Sequence, residues 1–318
     1  MEIRNANYSL CSAIRSNLER CILGKRVEIE RLLTALLAGG HVLLEDVPGT
    51  GKTQLVKALA KTIDGQFRRV QCNPDLLPTD ITGVAIYHPR DETFIYRPGP
   101  VMTNLLLVDE INRATTKTQS ALLEAMEERH VTVDGDSFEL PQPFILIATQ
   151  NPIEFEGTYT LPEAQLDRFM MKLTLGYPDA STERQMVLAP DSTSPADKLL
   201  PVANIEQVAQ LMQAVHQVHV DEAVGDYLIR IVRATREHSS ILLGASPRAA
   251  ISLMAAAKAN AFLQERDYVI PDDIKVLIQS VLCHRMVLHT EARMNGSTAE
   301  DVIDTIVRQT SVPVRMER

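Results

Sequence analysis

The chain carries Asp46-Val47-Pro48-Gly49-Thr50-Gly51-Lys52-Thr53, the stretch that decides its fold. An apolar run at residues 41–45 precedes it, and residues 54–60 have the apolar spacing of a helix, so the glycines fall at a predicted strand-to-helix turn. The free backbone N–H groups of a helix N-terminus bind phosphate, and glycines let the backbone approach closely. We therefore interpret the stretch as a phosphate-binding loop, or P-loop.

Each residue type in this loop has a chemical reason. The Lys52 ammonium is able to reach the β- and γ-phosphate oxygens, and the Thr53 hydroxyl is suited to ligate Mg²⁺. Asp46 stands where the strict pattern has glycine, so its carboxylate is expected to point away from phosphate or to make a local turn contact. The alternative interpretation is a glycine-rich turn with an incidental lysine. The residues predicted to surround the nucleotide here are Pro48, Gly49, Thr50, Gly51, Lys52, Thr53 and Gln54.

Length, composition and charge indicate the number of domains and exclude some classes of partner. The chain has 318 residues, 45% of them hydrophobic, which is enough for two domains with cores of their own. A net charge of −9 argues against a duplex nucleic-acid partner, which is bound mainly through Lys and Arg. No apolar segment is long enough to suggest secretion or a membrane span, so we expect a cytoplasmic protein. The four cysteines lack metal-site spacing and are expected to be reduced thiols.

Strand-like and helical runs alternate in the first half of the chain, which predicts an α/β fold with a mainly parallel sheet. Besides the strand before the P-loop, predicted strands lie at 67–72, 104–109, 144–149 and 170–175, with helices at 116–128 and 163–167. Two insertions, at about 81–97 and 130–141, have the pattern of β-hairpins. These are either plain structural edges or contact surfaces.

The pattern changes near residue 178, after which no further strand is predicted. We divide the chain into an α/β domain at 1–178 and an all-helical domain at 179–318. Predicted helices of the second domain are 205–218, 222–236, 247–265, 272–288 and 298–308.

A second anchor for the chemistry is the apolar run 105–108, which ends in Asp109 and Glu110. In a P-loop protein, Mg²⁺ needs a carboxylate near its water shell and the attacking water needs a base. Asp109 is assigned the first task, a contact with Mg²⁺ through water, and Glu110 is assigned the second. Alone, two acids after a strand are weak evidence, because acids often serve as turn or cap residues.

Three further residues have open alternatives. Asn151 follows the strand at 144–149 and is either a sensor of the γ-phosphate and lytic water or part of an Asn-Pro turn. Arg168 is either a phosphate clamp or a partner of neighbouring Asp167 or Glu163. Arg248 stands in the first turn of a predicted helix, where a cation is unfavourable, and this favours a functional role.

Other charged groups are given structural roles. His216, His219, His284 and His289 lack a metal-ligand pattern and are interpreted as solvated helix histidines. The acids Glu124, Glu127 and Glu128 are interpreted as a solvated helix face.

Several motifs together resemble the MoxR family of AAA+ ATPases over nearly the whole chain. They are GTGKT at 49–53, LLLVDEINRA at 105–114, QSALLEAME at 119–127, ATQNP at 148–152, EAQLDRF at 163–169 and SPRA at 246–249. The resemblance implies an αβα nucleotide-binding domain with a helical lid, ATP and Mg²⁺ as ligands, and a homo-oligomeric ring, commonly a hexamer, with ATP between subunits.

The resemblance also implies roles for individual residues. Lys52, Thr53, Asp109 and Glu110 would be Walker residues, Asn151 sensor 1, Arg248 sensor 2 and Arg168 the finger that reaches a neighbour's nucleotide. Ile22 and Gly24 resemble the segment that packs against adenine. The hairpins would line the pore or face of the ring. Family members are similar to chaperones that assemble protein complexes, often with a von Willebrand factor A domain partner.

We therefore expect a Mg²⁺-dependent ATPase that remodels a protein client. Two alternatives remain at this point: another ring ATPase, such as a nucleic-acid motor or a metal-chelatase subunit, and a nucleotide-gated scaffold with negligible turnover.

Overall fold

The computed structural model describes residues 2–151, 158–188 and 195–313. In chain order its strands are β1 (Val42–Glu45), β2 (Phe67–Gln71), β3 (Gly83–His88), β4 (Thr93–Pro98), β5 (Leu105–Asp109), β6 (His130–Val133), β7 (Asp136–Glu139), β8 (Ile145–Gln150), β9 (Met171–Leu173), β10 (Ile241–Leu243) and β11 (Val287–Leu288). Its α-helices are α1 (Glu2–Glu19), α2 (Arg26–Leu37), α3 (Lys52–Thr62), α4 (Pro78–Thr82), α5 (Thr116–Glu128), α6 (Glu163–Leu166), α7 (Ala180–Leu188), α8 (Ile205–His216), α9 (Glu222–Glu237), α10 (Pro247–Leu263), α11 (Pro271–Leu282), α12 (Thr290–Met294) and α13 (Ala299–Gln309). Short 3₁₀ turns lie at Ile111–Arg113, Pro195–Lys198 and Cys283–Arg285.

Five strands form one parallel sheet in the order β2-β5-β8-β1-β9, which confirms the predicted α/β fold. Its two central strands, β5 and β8, are apolar and almost wholly buried, as expected of strands covered on both faces. Because all five strands run the same way, the loops at their carboxyl ends meet along one edge of the sheet.

Side chains alternate between two cores on opposite faces of this sheet. Leu105 and Leu107 of β5 belong to a core shared with α1, α2, α3 and the lid helices, whereas Leu106 and Val108 face a second core that contains α5. The same alternation on β8 divides Ile145 and Ile147 from Leu146 and Ala148. The period of two residues in a strand therefore builds the αβα layers.

Two antiparallel hairpins project from the α/β domain, β3 with β4 and β6 with β7. They touch through the rings of Tyr96 and Phe138, which stack with centroids 3.9 Å apart. Apolar side chains at the end of the first hairpin face solvent, with Phe94 72% exposed.

The second part of the chain is a helical lid with one departure from the expected all-helical structure. Ile241–Leu243 and Val287–Leu288 pair as a short antiparallel ribbon, so the prediction of no strand after residue 178 is wrong. The predicted helix at 272–288 is correspondingly too long, because α11 ends at Leu282. Two strands this short carry no alternating pattern, and residues 287–288 look like a continuation of the helix. The predicted division of the chain at residue 178 stays a prediction.

The lid contacts the α/β domain through a buried arginine. Arg285 lies in the turn after α11, and its guanidinium donates to the backbone oxygens of Phe169, at 2.8 Å, and Asp167, at 3.1 Å. Its Nε also lies 3.0 Å from the Asp167 carboxylate. Ser246 donates to that carboxylate from the start of α10. Asp167 and Phe169 therefore connect the lid to the segment that enters β9.

Two further properties follow from the described residues. All four cysteines are buried and unbridged. Within the ranges given above, we find no helix that combines the length and apolar character needed to cross a membrane.

Candidate nucleotide-binding site

A cavity of about 150 Å³ lies at the carboxyl edge of the sheet, beside the P-loop. Its lining residues come from the carboxyl-terminal parts of β2, β5 and β8, from the residues that follow β1, β5 and β8, and from the start of α3: Asp46, Pro48, Lys52, Thr53, Arg69, Gln71, Asp109, Glu110, Thr149, Gln150 and Asn151. Six of the predicted site residues, Pro48, Lys52, Thr53, Asp109, Glu110 and Asn151, therefore meet at one cavity.

The P-loop turns directly into α3, which begins at Lys52. Gly49 and Gly51 have φ angles of 85° and 90°, a conformation that other residues rarely adopt. The Lys52 ammonium donates to the backbone oxygens of Asp46, at 3.1 Å, and Val47, at 2.7 Å. The loop thus brings its lysine and the free N–H groups of a helix N-terminus to one point. Thr50 and Gln54 belong to the same loop and first turn but do not line the cavity.

Asp46 makes the contact that its unexpected position required. Its Oδ2 accepts the N–H groups of Leu175 and Gly176, which lie outside the loop, each at 2.8 Å. Oδ1 accepts the N–H of Val47 at 3.0 Å. The carboxylate is thereby satisfied by backbone donors at a buried position.

Asp109, at the end of β5, is held by two neighbours. Arg69 on β2 donates to Oδ2 at 2.6 Å, and the Thr149 hydroxyl donates to Oδ1 at 3.2 Å. Thr149 also accepts the backbone N–H of Glu110 at 2.9 Å. These contacts fix the orientation of both acids relative to β8.

Glu110 has a left-handed backbone, with φ at 55°. This conformation is uncommon for a residue with a side chain and is often found at functional sites. The carboxylate lies 3.0 Å from Nη1 of Arg113 and remains partly exposed, whereas Asp109 is buried. The two adjacent acids therefore have different surroundings, which suits different roles.

Two further predicted nucleotide contacts, Ile22 and Gly24, lie outside the P-loop and do not line the cavity either. Gly24 lies beside the start of α7, and a Cβ built on it would stand 3.1 Å from the Thr182 hydroxyl oxygen. Ile22 packs partly buried against the larger core. Their contact with adenine stays a prediction.

The two predicted arginines meet at a different place. Arg168 lies 3.2 Å from the Glu127 carboxylate and donates to the backbone oxygen of Leu123 at 2.8 Å. Arg248 also pairs with Glu127. Neither Asp167 nor Glu163 is the partner of Arg168, and Glu127 is not simply part of a solvated helix face. Arg168 precedes β9, so this pair lies toward the amino edge of the sheet, away from the P-loop cavity.

The donors at the cavity fit Mg²⁺ rather than a transition metal. Thr53, Asp109 and Glu110 supply hydroxyl and carboxylate oxygens, which Mg²⁺ prefers, and Mg²⁺ normally completes its shell with water and substrate phosphate. Among residues 2–151, 158–188 and 195–313 we find no cluster of three or more His, Cys, Asp or Glu suited to hold a metal by protein ligands alone.

Four residues at the cavity outside the P-loop were not predicted as site residues: Arg69, Gln71, Thr149 and Gln150. Arg69 and Gln71 stand on a strand 38 or more positions from Asp109, so no local motif connects them. Thr149 and Gln150 belong to the ATQNP motif, and their position just before Asn151 was the signal in the sequence. The interpretation of His284 as a solvated histidine is wrong. The residue is buried, and its Nε2 lies 3.0 Å from the backbone oxygen of Phe169.

Known proteins resemble this chain over most of its length. Residues 41–171 match the model of the ATPase family associated with various cellular activities, and residues 233–306 match the AAA lid domain. The chaperone MoxR1 of Mycobacterium tuberculosis is 44% identical over 93% of this chain and 80% of its own length. The protein MoxR of Methylorubrum extorquens is 30% identical over 92% of each.

The chain belongs to the MoxR family of AAA+ ATPases.

Two more relatives extend the likeness over the whole MoxR fold. A protein of Bacillus subtilis called YeaC is 52% identical over 94% of this chain and 93% of its own length. A crystal structure of a candidate ATPase from Cytophaga hutchinsonii superposes with a TM-score of 0.91 at 40% identity, over 98% of both chains. The protein is therefore a MoxR-type ATPase with an AAA+ domain and a lid.

Proposed function

We propose that this MoxR-type ATPase uses Mg²⁺-dependent hydrolysis of ATP to change its conformation and so remodel a protein client. The observation that carries the proposal is the meeting of Lys52, Thr53, Asp109 and Glu110 at one cavity on the carboxyl edge of the sheet. This set supplies a phosphate-binding cation, Mg²⁺ ligands and a base, which are the parts that phosphoryl transfer to water requires.

Each residue has a task in the proposed reaction. Lys52 and the N–H groups at the start of α3 bind the phosphates, and Thr53 and Asp109 hold Mg²⁺, the latter through water. Mg²⁺, when bound, neutralises charge on the β- and γ-phosphate oxygens. Glu110 accepts the proton of the water that attacks the γ-phosphorus, while the bond from that phosphorus to the bridging oxygen breaks. The Asn151 amide orients the water, and Arg69 and Thr149 keep Asp109 in place.

Arg168 and Arg248 are proposed to act on the nucleotide of a neighbouring subunit. Parallel strands of three to six residues separate the two edges of the sheet by about 10–20 Å, which is farther than an arginine reaches. Both side chains share Glu127 at the far edge, so they are available together to an adjacent chain. This arrangement supports a homo-oligomeric ring, proposed to be a hexamer, with ATP at subunit interfaces.

The biological setting is also a proposal. A relative named as a chaperone supports a protein client, and the exposed apolar side chains of the β3–β4 hairpin suit contact with it. A von Willebrand factor A domain partner and a cytoplasmic location follow from the family resemblance. The net charge of −9 disfavours nucleic acid as the client.

The first test measures ATPase activity per subunit with Mg²⁺ across a wide range of protein concentration. We expect activity per subunit to rise with concentration and then reach a plateau, because a neighbouring chain completes each site. Light scattering on the same samples reports whether the rise follows assembly. Negligible turnover at all concentrations, with nucleotide still bound, would indicate a nucleotide-gated scaffold instead.

A mixing experiment tests the role of Arg168 directly. Arg168→Ala and Lys52→Ala subunits should each be inactive, since one lacks the finger and the other the phosphate-binding lysine. Mixed rings should regain part of the activity, because a Lys52→Ala subunit still offers Arg168 to an intact P-loop next to it. Light scattering verifies that mixed rings form. Mixed rings without activity would contradict action on a neighbour.

A further inference from the structure

The segment that follows β9 is bound by one side chain from the P-loop and by one from the segment at residues 22–25. We call Leu175, Gly176 and Tyr177 the linker, which leads from β9 toward α7. Asp46 accepts the N–H groups of Leu175 and Gly176 at 2.8 Å each. Lys25 donates to the backbone oxygen of Leu175 and, at 3.0 Å, to that of Tyr177.

Asp46 is at the same time the first residue of the P-loop. Its Oδ1 accepts the next N–H, of Val47, and its own backbone oxygen accepts the Lys52 ammonium at 3.1 Å. Only 5% of the residue is exposed, so water does not compete for these bonds. The buried Asp46 carboxylate therefore connects the P-loop, which contains Lys52, to the linker, which leads to the lid.

The linker backbone is shaped for this contact. Gly176 has φ at 64°, in the left-handed region that favours glycine, and the turn directs two successive N–H groups at one carboxylate oxygen. Paired backbone donors on an ionised carboxylate form stronger bonds than neutral pairs do. Glycine at position 46, as in the general P-loop pattern, would have no side chain to make them.

The backbone oxygens of the linker accept hydrogen bonds from Lys25, in the segment at residues 22–25. Lys25 follows Gly24, which approaches Thr182 of α7 closely. The Asp179 carboxylate caps the start of α7 by accepting the Thr182 N–H at 2.9 Å. The N–H groups of the linker are thus bound by the P-loop through Asp46, and its backbone oxygens are bound by the segment at residues 22–25 through Lys25.

We propose that Asp46 is a positioning residue that couples nucleotide binding at the P-loop to the position of the lid, with Lys25 holding the linker from the other side. The inference rests on the proposed nucleotide site. The Lys52 ammonium donates to the backbone oxygens of Asp46 and Val47. To bind phosphate, it has to give up these hydrogen bonds. Release of these bonds shifts the first residues of the loop, and the Asp46 carboxylate transmits the shift to Leu175 and Gly176.

The test measures hydrogen exchange at the Leu175 and Gly176 amides with and without ADP and Mg²⁺, beside the affinity for a fluorescent ADP analogue. In the unmodified protein we expect ADP to slow exchange at these amides at least about threefold, within the range of allosteric couplings. In Asp46→Asn, exchange without ADP should be about tenfold faster, because the charged acceptor is lost. At ADP concentrations that saturate the variant, exchange should no longer respond to ADP.

The matched control is Asp221→Asn, since Asp221 also accepts a backbone N–H, that of Ala223 at 2.9 Å, but at the exposed start of α9. It should leave the response of the linker unchanged. Lys25→Met provides a second variant with the P-loop intact and should also weaken the response. Circular dichroism verifies that each variant is folded.

The outcomes separate this inference from the proposed function. If the unmodified protein binds ADP but the linker amides do not respond, the coupling is wrong and the nucleotide site stands. An ADP response in Asp46→Asn equal to that of the unmodified protein overturns the role of Asp46. Loss of ADP binding in Asp46→Asn would mean that the residue serves the P-loop itself, which also overturns it. If the unmodified protein binds no nucleotide, both proposals fail.

Discussion

At the scale of single residues, the two acids after β5 show how one strand end supports two tasks. Asp109 is buried and bonded to Arg69 and Thr149, whereas Glu110 turns outward through its left-handed backbone and stays partly exposed. A buried, oriented carboxylate suits Mg²⁺, and a partly exposed one suits proton transfer from water.

The Glu110→Gln variant should therefore separate binding from turnover. We expect turnover to fall by about 100-fold or more, since general-base catalysis contributes 10²–10⁴ in rate. Affinity for ATP should remain, because the substitution removes a base and no phosphate contact. Steady-state ATPase assays and a fluorescent nucleotide titration measure the two effects. The control is Glu237→Gln, at an exposed position of α9, which should leave turnover unchanged. Unchanged turnover in Glu110→Gln itself would show that Glu110 is not the base.

The site was predictable from the sequence where its parts are contiguous. Pro48, Lys52 and Thr53 stand in one loop, and Asp109 with Glu110 ends one strand, so spacing alone assembles each part. Arg69 and Thr149 reach Asp109 only because β2 and β8 flank β5 in the sheet. Strand order is a tertiary property, so local patterns did not reveal these partners.

At the scale of elements, the turn after α11 anchors the lid through Arg285. Its side chain is 1% exposed and meets the Asp167 carboxylate and the Phe169 backbone oxygen. Burial lowers the pKa of Arg285 to about 10, an effect that the nearby Asp167 carboxylate partly opposes. The group remains charged at neutral pH, and its partners offset the cost of its burial.

We expect Arg285→Met to lower the free energy of unfolding by about 3–5 kcal/mol, because it removes the cation that faces the Asp167 carboxylate and a donor to the backbone oxygens of Asp167 and Phe169. Urea unfolding followed by circular dichroism measures the change. The control, Arg233→Met, removes an exposed arginine whose pair with Glu237 spans 4.0 Å, and should cost less than about 0.5 kcal/mol. Equal stability of the two variants would contradict an anchoring role for Arg285.

The β10–β11 ribbon and the role of Glu127 were not predicted from the sequence, because both depend on contacts between distant parts of the chain. The ribbon of β10 and β11 is too short for a periodic pattern, and it forms because the lid brings residues 241 and 288 together. Glu127 was interpreted as solvated because its neighbours on α5 are charged, yet the approach of Arg168 and Arg248 gives it a role.

At the scale of the whole molecule, two buried histidines connect stability to pH. His41 accepts the Leu146 N–H through Nδ1 at 3.0 Å, so its Nε2 donates to the Met126 oxygen at 3.0 Å. Burial lowers the pKa of His41 from 6.5 to about 4 and that of His284 to about 3. Both rings are neutral in the folded protein at pH values where the unfolded chain binds protons.

The sign of the resulting pH dependence follows from linkage. Below pH 6.5 the unfolded chain gains a proton at each histidine and the folded protein does not, so the free energy of unfolding falls as pH falls toward 4. Each histidine contributes a slope of about 1.4 kcal/mol per pH unit in this window. Urea unfolding at several pH values between 4.5 and 7 should show His41→Gln losing about that much slope.

His219→Gln is the control for this measurement, since His219 is exposed and should leave the slope unchanged. A slope in His41→Gln equal to that of the unmodified protein would mean that His41 is protonated in the folded state.

The sequence by itself determined the fold class, the family and the residues at the P-loop and at the end of β5, because contiguous motifs and strand or helix periods are local properties. Only the tertiary structure decided which distant groups meet: Arg69 with Asp109, both arginines with Glu127, and Asp46 with the linker at Leu175 and Gly176. These contacts join positions 40 to 130 residues apart, and strand order and lid docking create them. Asp46 illustrates the difference, since its departure from the P-loop pattern is visible in the sequence and its partners are visible only in the fold.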